Sequence, residues 1–257
     1  MSVSTSRGTG ADKGTSTAGV RRLAAGTAIF ERDGAPVLRT AAGEFLDLHA
    51  QVGPDLDALP DRVVRAFEER GLFAAPSTAA DWTVAVLGEG RIATALRSLL
   101  VPAGFGRVVT ATNDLPDGPA VVSWCCDALP PPGWRTFDPG TAAWQRCSVE
   151  GTTAVLEPVT QTKGDPGPAD VRARRLAASG SPEHLAAYWT GPITHSASAV
   201  GPVEALFVAA LLAADLLALT RGEARTRTLR LADLRTQRVT DHPILPLPAF
   251  HPRAERR

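Results

Sequence analysis

The rhythm of apolar and polar positions changes several times along this chain, and each change predicts an element. Thr83 to Leu87 (TVAVL) is a short apolar run rich in β-branched residues, the pattern of a buried strand. Gly88-Glu89-Gly90 breaks the run, and from Arg91 to Val101 the apolar residues Ile92, Leu96, Leu99 and Leu100 fall on one helical face. Arg107 to Thr112 and Pro119 to Trp124 (PAVVSW) predict a second and a third strand, and this alternation points to an α/β sheet. Val149 to Val159 predicts a hairpin around Gly151, followed by a loop over Gln161 to Ala169 and short helices over Asp170 to Ala178 and Pro182 to Tyr188. Pro202 stands where a first-turn proline belongs and opens a long helix to about Leu219, with Arg221-Gly222 as its stop. Thr226 to Leu231 and Arg235 to Thr240 read as a closing hairpin, and His242 to Pro252 as an extended, proline-rich end.

Upstream the pattern is shorter in period. Thr27 to Phe30 and Pro36 to Thr40 flank Arg32-Asp33-Gly34, a hairpin signal, and Glu44 to Leu48 adds a third strand. Leu59, Val63, Ala66 or Phe67, and Arg70 recur at helical spacing, with Asp61 in the first turn and Gly71 as a stop. Leu72-Phe73 then returns as a short wing strand. The expected organisation is a disordered tail over 1–19, a small winged-helix-like (α+β) module over 20–75, a linker over 76–82 and an α/β domain over 83–257. The other reading of 20–75 makes it the first strands of the main domain.

Composition narrows the partners. With 27 basic and 27 acidic residues there is no electrostatic case for nucleic acid or an anionic membrane. Only Lys13 and Lys163 are lysines, so the arginine richness reflects codon bias and carries no functional weight. Cys125, Cys126 and Cys147 are odd in number and show no CxxC spacing, which argues against a disulfide framework and fits a reducing, cytoplasmic setting. The N-terminal stretch has no apolar centre and is not a signal peptide. The run Val203 to Leu219 is interrupted by Glu204 and Asp215 and falls short of the ~20 residues of a membrane span, so it reads as a buried helix.

The candidate chemistry centres on the break after the first α/β strand. Gly88-x-Gly90-x-x-Ala93 has the spacing of a Rossmann-type nucleotide turn: one glycine for the tight turn, one for the approach of a phosphate, and a small residue where helix meets strand. A ribose-binding acid belongs about 20 positions further on; Asn113 and Asp114 stand there, and Glu89 adds a negative charge to the turn itself. His49, His184, His195, His242 and His251 are scattered, with no HExxH and no CxxC beside them, so no metal site is expected. Cys147, and Ser196 and Ser198 next to His195, lack a GxSxG elbow or a partner base, and no catalytic residue is assigned.

Three stretches taken together resemble one family. VLGEGRIATALRSLL, PAVVSW and SAVGPVEALFVAALLAADLLALTRGE follow the order of the ThiF fold of ubiquitin-activating-type adenylating enzymes, and the ending DHPILPLPAFHPRA looks like that of the ThiF-like partner proteins of YcaO cyclodehydratases. The resemblance spans roughly residues 20–254. It implies a leader-recognition module at the N-terminus and a role in making azoline and azole rings on ribosomal peptides, including thiopeptides. Many members carry two CxxC pairs for zinc; here those regions read GDPGPADVRARR and Phe250-His-Pro-Arg253, and the module is about one helix shorter than the family pattern. The resemblance thus implies a scaffold without cofactor: a leader peptide adds as a strand beside Glu44 to Leu48, and Phe45, Leu46, Leu48, Val63 and Phe67 line or support its groove. Gly88, Gly90 and Ala93 become a vestigial nucleotide turn. The expected partners are the leader peptide and the YcaO cyclodehydratase, with a homodimer through the long helix left open. The alternative is a catalyst, an adenylating enzyme or an NAD(P)-dependent oxidoreductase, using the same turn.

Overall fold

The computed structural model describes residues 21–48, 55–74, 78–115, 117–193 and 199–247. The N-terminal tail, His49, His195 with Ser196 and Ser198, and His251 lie outside the described residues. The chain divides into two compact units, Met1–Pro76 and Ser77–Arg257.

In the first unit, strands β1 (Ala28–Arg32) and β2 (Ala35–Arg39) are joined by Asp33 and Gly34, both in the left-handed region at φ 54° and 78°. That two-residue turn matches the twist of an antiparallel pair. Strand β3 (Phe45–Asp47) pairs antiparallel with β2, placing Leu46 opposite Leu38 at one edge of a β1-β2-β3 sheet. Helix α1 (Asp61–Glu69) turns Val64 and Phe67 into a core with Leu38, Leu59 and Leu72. Removing Leu38 and Phe67 from water contributes roughly 1.5–3 kcal/mol each. Gly71, at φ 62°, ends the helix as its residue type suggests. The wing strand expected at Leu72-Phe73 is only a single bridge between Leu23 and Phe73, held by the Ala24 and Ala74 N–H groups donating to the Leu72 and Arg22 carbonyls. Among the described residues the unit is α+β, with one α-helix over three strands.

The second unit is built on a seven-stranded sheet: β4 (Thr83–Leu87), β5 (Arg107–Val109), β6 (Ala120–Cys125), β7 (Ala143–Glu150), β8 (Thr153–Leu156), β9 (Thr228–Asp233) and β10 (Val239–Pro243), in the order β10-β9-β8-β7-β6-β4-β5. β5, β4, β6 and β7 run parallel, and β7 to β10 continue antiparallel. Helices α2 (Arg91–Leu100) and α5 (Pro202–Thr220) cover one face, meeting Val84, Val86, Val121, Ala154 and Leu156. The alternate residues Ala85 and Val122 meet Trp134 and Trp144 on the other face, where Val155 packs on Val171 of α3 (Pro168–Ala178); α4 (Pro182–Thr190) follows α3. This alternation is the two-residue period of strands buried on both sides.

Several boundaries differ from expectation. β5 stops at Val109, because Thr112–Asp114 folds into a single 3-10 turn. The expected hairpin around Gly151 is present, but β7 begins at Ala143, so its first arm is the end of a long central strand. Thr78–Asp81, expected in a linker, is a 3-10 turn whose Ala79 is buried in the core of the second unit. α5 is long and apolar enough to cross a bilayer by composition, yet its inner face, including Val208, Leu212 and Leu216, is core. Asp215, one of its two acids, is buried against Arg230 of β9, with Arg225 3.6 Å away. Desolvation raises its carboxyl above the ordinary range against the pull of both arginines.

Candidate functional site

Two places offer the backbone to a ligand, one in each unit. In the first, the hydrogen-bond pattern of β3 decides what is available. Thr40 N–H donates to the Glu44 carbonyl and Leu48 N–H to the Pro36 carbonyl. In an antiparallel ladder the bonded residues alternate, so Glu44, Leu46 and Leu48 face β2, and Phe45 and Asp47 turn their N–H and C=O groups to the free edge. Between this edge and α1 lies a groove of about 600 Å³, lined by Leu46, Leu48, Val63, Ala66 and Phe67, with Phe45, Asp47, Arg62 and Arg70 around it. All five residues expected to form a peptide groove, Phe45, Leu46, Leu48, Val63 and Phe67, therefore border one cavity. Their burial differs: Phe67 is 4% exposed and serves the core as well, whereas Phe45 is 64% exposed. Phe45 meets Phe30 edge-to-face on the outer side of the sheet, with ring centroids 6.0 Å apart. An unpaired edge beside an apolar trough is the arrangement that takes up an extended peptide.

The second place is the turn between β4 and α2. Gly88 has φ 108°, and a Cβ there would stand 2.0 Å from the Cys125 carbonyl oxygen at the end of β6. The glycine is thus required by the close approach of two strand ends. Ala93 is fully buried and would lie 3.5 Å from the same Cβ, so the small residue serves helix–strand packing. At Gly90 an added Cβ would meet the Asp127 carboxylate at 2.4 Å. That carboxylate accepts hydrogen bonds from Arg91 N–H (2.6 Å) and Ile92 N–H (3.1 Å). The first free N–H groups of α2 are the place where a phosphate would be held, and a side chain of the protein already occupies it.

The neighbouring charges point the same way. Arg97 donates to the Val86 and Gly88 carbonyls, and Arg91 to the Val200 carbonyl, so both guanidinium groups are tied to backbone. Asp127 and Glu89 leave two carboxyl groups beside the turn. Asn113 and Asp114 stand exposed in the 3-10 turn after β5, and neither borders the shallow groove that Glu89, Gly90 and Thr94 form with Pro202 and Leu206. The residues present do not fit the phosphates of a bound nucleotide.

The remaining described candidates do not gather into a site. Cys125 and Cys147 are fully buried partners in the β6–β7 register. Burial pushes the Cys125 thiol up to about 12 and Cys126 to about 11, and raises Cys147 well above its usual value. Such thiols are poor nucleophiles. His242 lies in β10 against Thr240 Oγ1 at 3.0 Å, and His184 sits in α4. Among the described residues no three His, Cys, Asp or Glu side chains gather as a metal site would require. Sequence reasoning missed Asp127, which lies 36 positions beyond Arg91; its one signal is its place just past the carboxyl end of a parallel strand, where such sheets hold ligands.

No family model matches the sequence, and no curated protein matches it. Solved structures do. A chain of the E. coli microcin synthetase McbBCD complex with pro-MccB17 bound is 12% identical, with 87% of this chain and 96% of that chain covered at a TM-score of 0.57. The heterocyclase TruD is 15% identical over 88% of this chain at a TM-score of 0.57, but this chain spans only 42% of its length. E. coli MccB is 9% identical, covering 89% of this chain and 95% of MccB at a TM-score of 0.52. At such identities the likeness speaks for architecture: this chain shares the mixed α/β, parallel-cored, ThiF-like fold of these microcin and heterocyclase proteins.

Proposed function

We propose that the chain is a non-catalytic partner protein that binds the leader of a ribosomal precursor peptide, delivers it to a YcaO cyclodehydratase and activates that enzyme in forming azoline or azole rings of a thiopeptide or related product. The observation that carries this reading is the groove between the free edge of β3 and α1, where outward-facing backbone groups of Phe45 and Asp47 stand beside an apolar floor. Main-chain bonds at such an edge give affinity and side-chain pockets give selection. The Asp127 carboxylate on the α2 amides supports the second half of the reading, because it leaves the ring chemistry and its nucleotide to the partner. In this reading the protein works in the cytoplasm, carries no cofactor and touches neither nucleic acid nor membrane. Pro-MccB17 is bound in the E. coli McbBCD complex, and one chain of that complex has the fold of this chain.

Isothermal titration of the whole chain with ATP, NAD, NADPH and the leader peptide encoded beside it tests the proposal. The leader is expected to bind and the nucleotides are not. Val63→Arg, which puts a guanidinium into the apolar floor, is expected to weaken the leader by at least about 30-fold, the scale of an interface hot spot. Micromolar nucleotide binding without peptide binding would overturn it.

A further inference from the structure

The three-stranded sheet has a second face, turned away from α1, and part of it is apolar. Its register sets two rows across that face: Ala28, Arg39 and Phe45 in one, Phe30, Val37 and Asp47 in the next. Residues directly opposite in a ladder share a face, and the alternate residues Ile29, Leu38 and Leu46 belong to the core under α1. Phe45 and Phe30 meet edge-to-face on this outer side, and Val37, directly opposite Phe30, is buried beside them. Phe45 still keeps 64% of its surface exposed. Phe30 approaches it from β1, so the flank of the Phe45 ring toward the free edge of β3 has no strand neighbour among the described residues.

A strand added at that edge fills this flank. Bonding to the outward groups of Phe45 and Asp47 sets one peptide residue opposite each of them and a third between, opposite Leu46. The third turns into the groove with Leu46. The other two fall on the outer face, and the one opposite Phe45 continues the row of Ala28, Arg39 and Phe45, with its Cβ about 5 Å from that of Phe45. This placing follows from the two-residue period of a strand and holds whichever way the peptide runs. The position opposite Asp47 meets a carboxylate that Arg32 already faces at 3.5 Å, so charge sets little there.

Resting on the peptide-binding reading above, we propose that the protein reads its peptide on both faces of the added strand. One apolar side chain enters the groove, and an aromatic side chain on the adjacent residue packs against the exposed flank of Phe45. Phe45 is thus a specificity-determining residue whose ring lies outside the groove. The ligand it selects has neighbouring apolar and aromatic residues that point to opposite sides, a pairing that a groove alone does not require.

The test starts from random ten-residue peptides displayed on phage and selected against the whole chain, with counter-selection on the Val63→Arg variant so that only groove-dependent binders are kept. An aromatic residue is expected next to the apolar groove residue. A double-mutant cycle then pairs the strongest peptide with Phe45→Thr, which removes the ring and keeps a good strand former at the edge. Changing the peptide's aromatic residue to Thr is expected to weaken binding to the parent about three- to tenfold, the scale of an aromatic pair, and to cost nothing further on Phe45→Thr. Equal losses on the parent and on Phe45→Thr, or groove-dependent binders without an aromatic neighbour, overturn the outer-face contact and leave the peptide site standing. A selection that yields no binder sensitive to Val63→Arg overturns the peptide site itself.

Discussion

At the edge of β3 the backbone groups of Phe45 and Asp47 face outward with no strand beyond them among the described residues, whereas at the β4–α2 turn the amides of Arg91 and Ile92 already bind Asp127. Both places have the local form of a binding site: a sheet edge beside a helix in one, a glycine turn opening a helix in the other. They differ in whether the protein satisfies its own polar groups. A closed turn gains a cap for α2 and a tight junction of β4 with β6; an open edge leaves hydrogen-bonding capacity that a partner can use. A fold that carries a nucleotide turn need not carry nucleotide chemistry, because the glycines have packing reasons to be there.

The strongest way to break this comparison is at Gly88. If the glycine is required by the backbone rather than by a phosphate, Gly88→Ala damages the unliganded protein. The new Cβ would fall 2.0 Å from the Cys125 carbonyl oxygen on a backbone at φ 108°. Left-handed strain and the overlap together cost about 3–5 kcal/mol, a large part of the stability of an ordinary domain. Chemical denaturation is expected to show the loss with no ligand present. A variant as stable as the parent would mean that the turn tolerates side chains and that its glycines were kept for something that binds there.

Asp127→Ala sharpens the same point at a smaller scale. The change removes the acceptor of two N–H groups at the start of α2. Loss of a helix cap costs about 0.5–2 kcal/mol, and at this size each kcal/mol lowers the melting temperature by about 2–4 °C. Asp127→Asn, which keeps an acceptor oxygen, is expected to recover part of the loss. Equal melting temperatures for parent and both variants would show that the carboxylate does not serve as a cap.

Much of this architecture is legible in the pattern of residues, and what is not has physical causes. β4, its glycine turn and α2 stand out because a strand buried on both faces and a one-sided helix have distinct periods. The five groove residues could be named because an edge strand and an amphipathic helix each announce which side packs. β7 was hidden by the polar residues that its core accommodates. Gln145 accepts from Ser123 and donates to the Leu212 carbonyl, and Arg146, fully buried, holds Glu157, Thr160 and the Pro158 and Pro166 carbonyls. Each partner lies 11 or more positions away in the chain, so AWQRCSVE reads as polar until the fold is known. Asp127 was hidden for the same reason: a cap supplied from the loop after another strand leaves no local spacing to find.

The smallest expected effect is a lack of reaction. A closed turn should hold no accessible nucleophile, and the thiols at the end of β6 and opposite it in β7 are the natural place to look. Only the thiolate reacts with a disulfide reagent. With Cys126 pushed up to about 11 by burial, and Cys125 and Cys147 buried more deeply, the thiolate fraction at pH 8 is about one in a thousand or less. Labelling of the native chain with Ellman's reagent is expected to run more than about a hundredfold slower than that of free cysteine. In guanidinium all three cysteines should react. A native thiol reacting at close to the free rate would place an accessible nucleophile beside Asp127, and would return the second unit to the class of sites that act on a substrate.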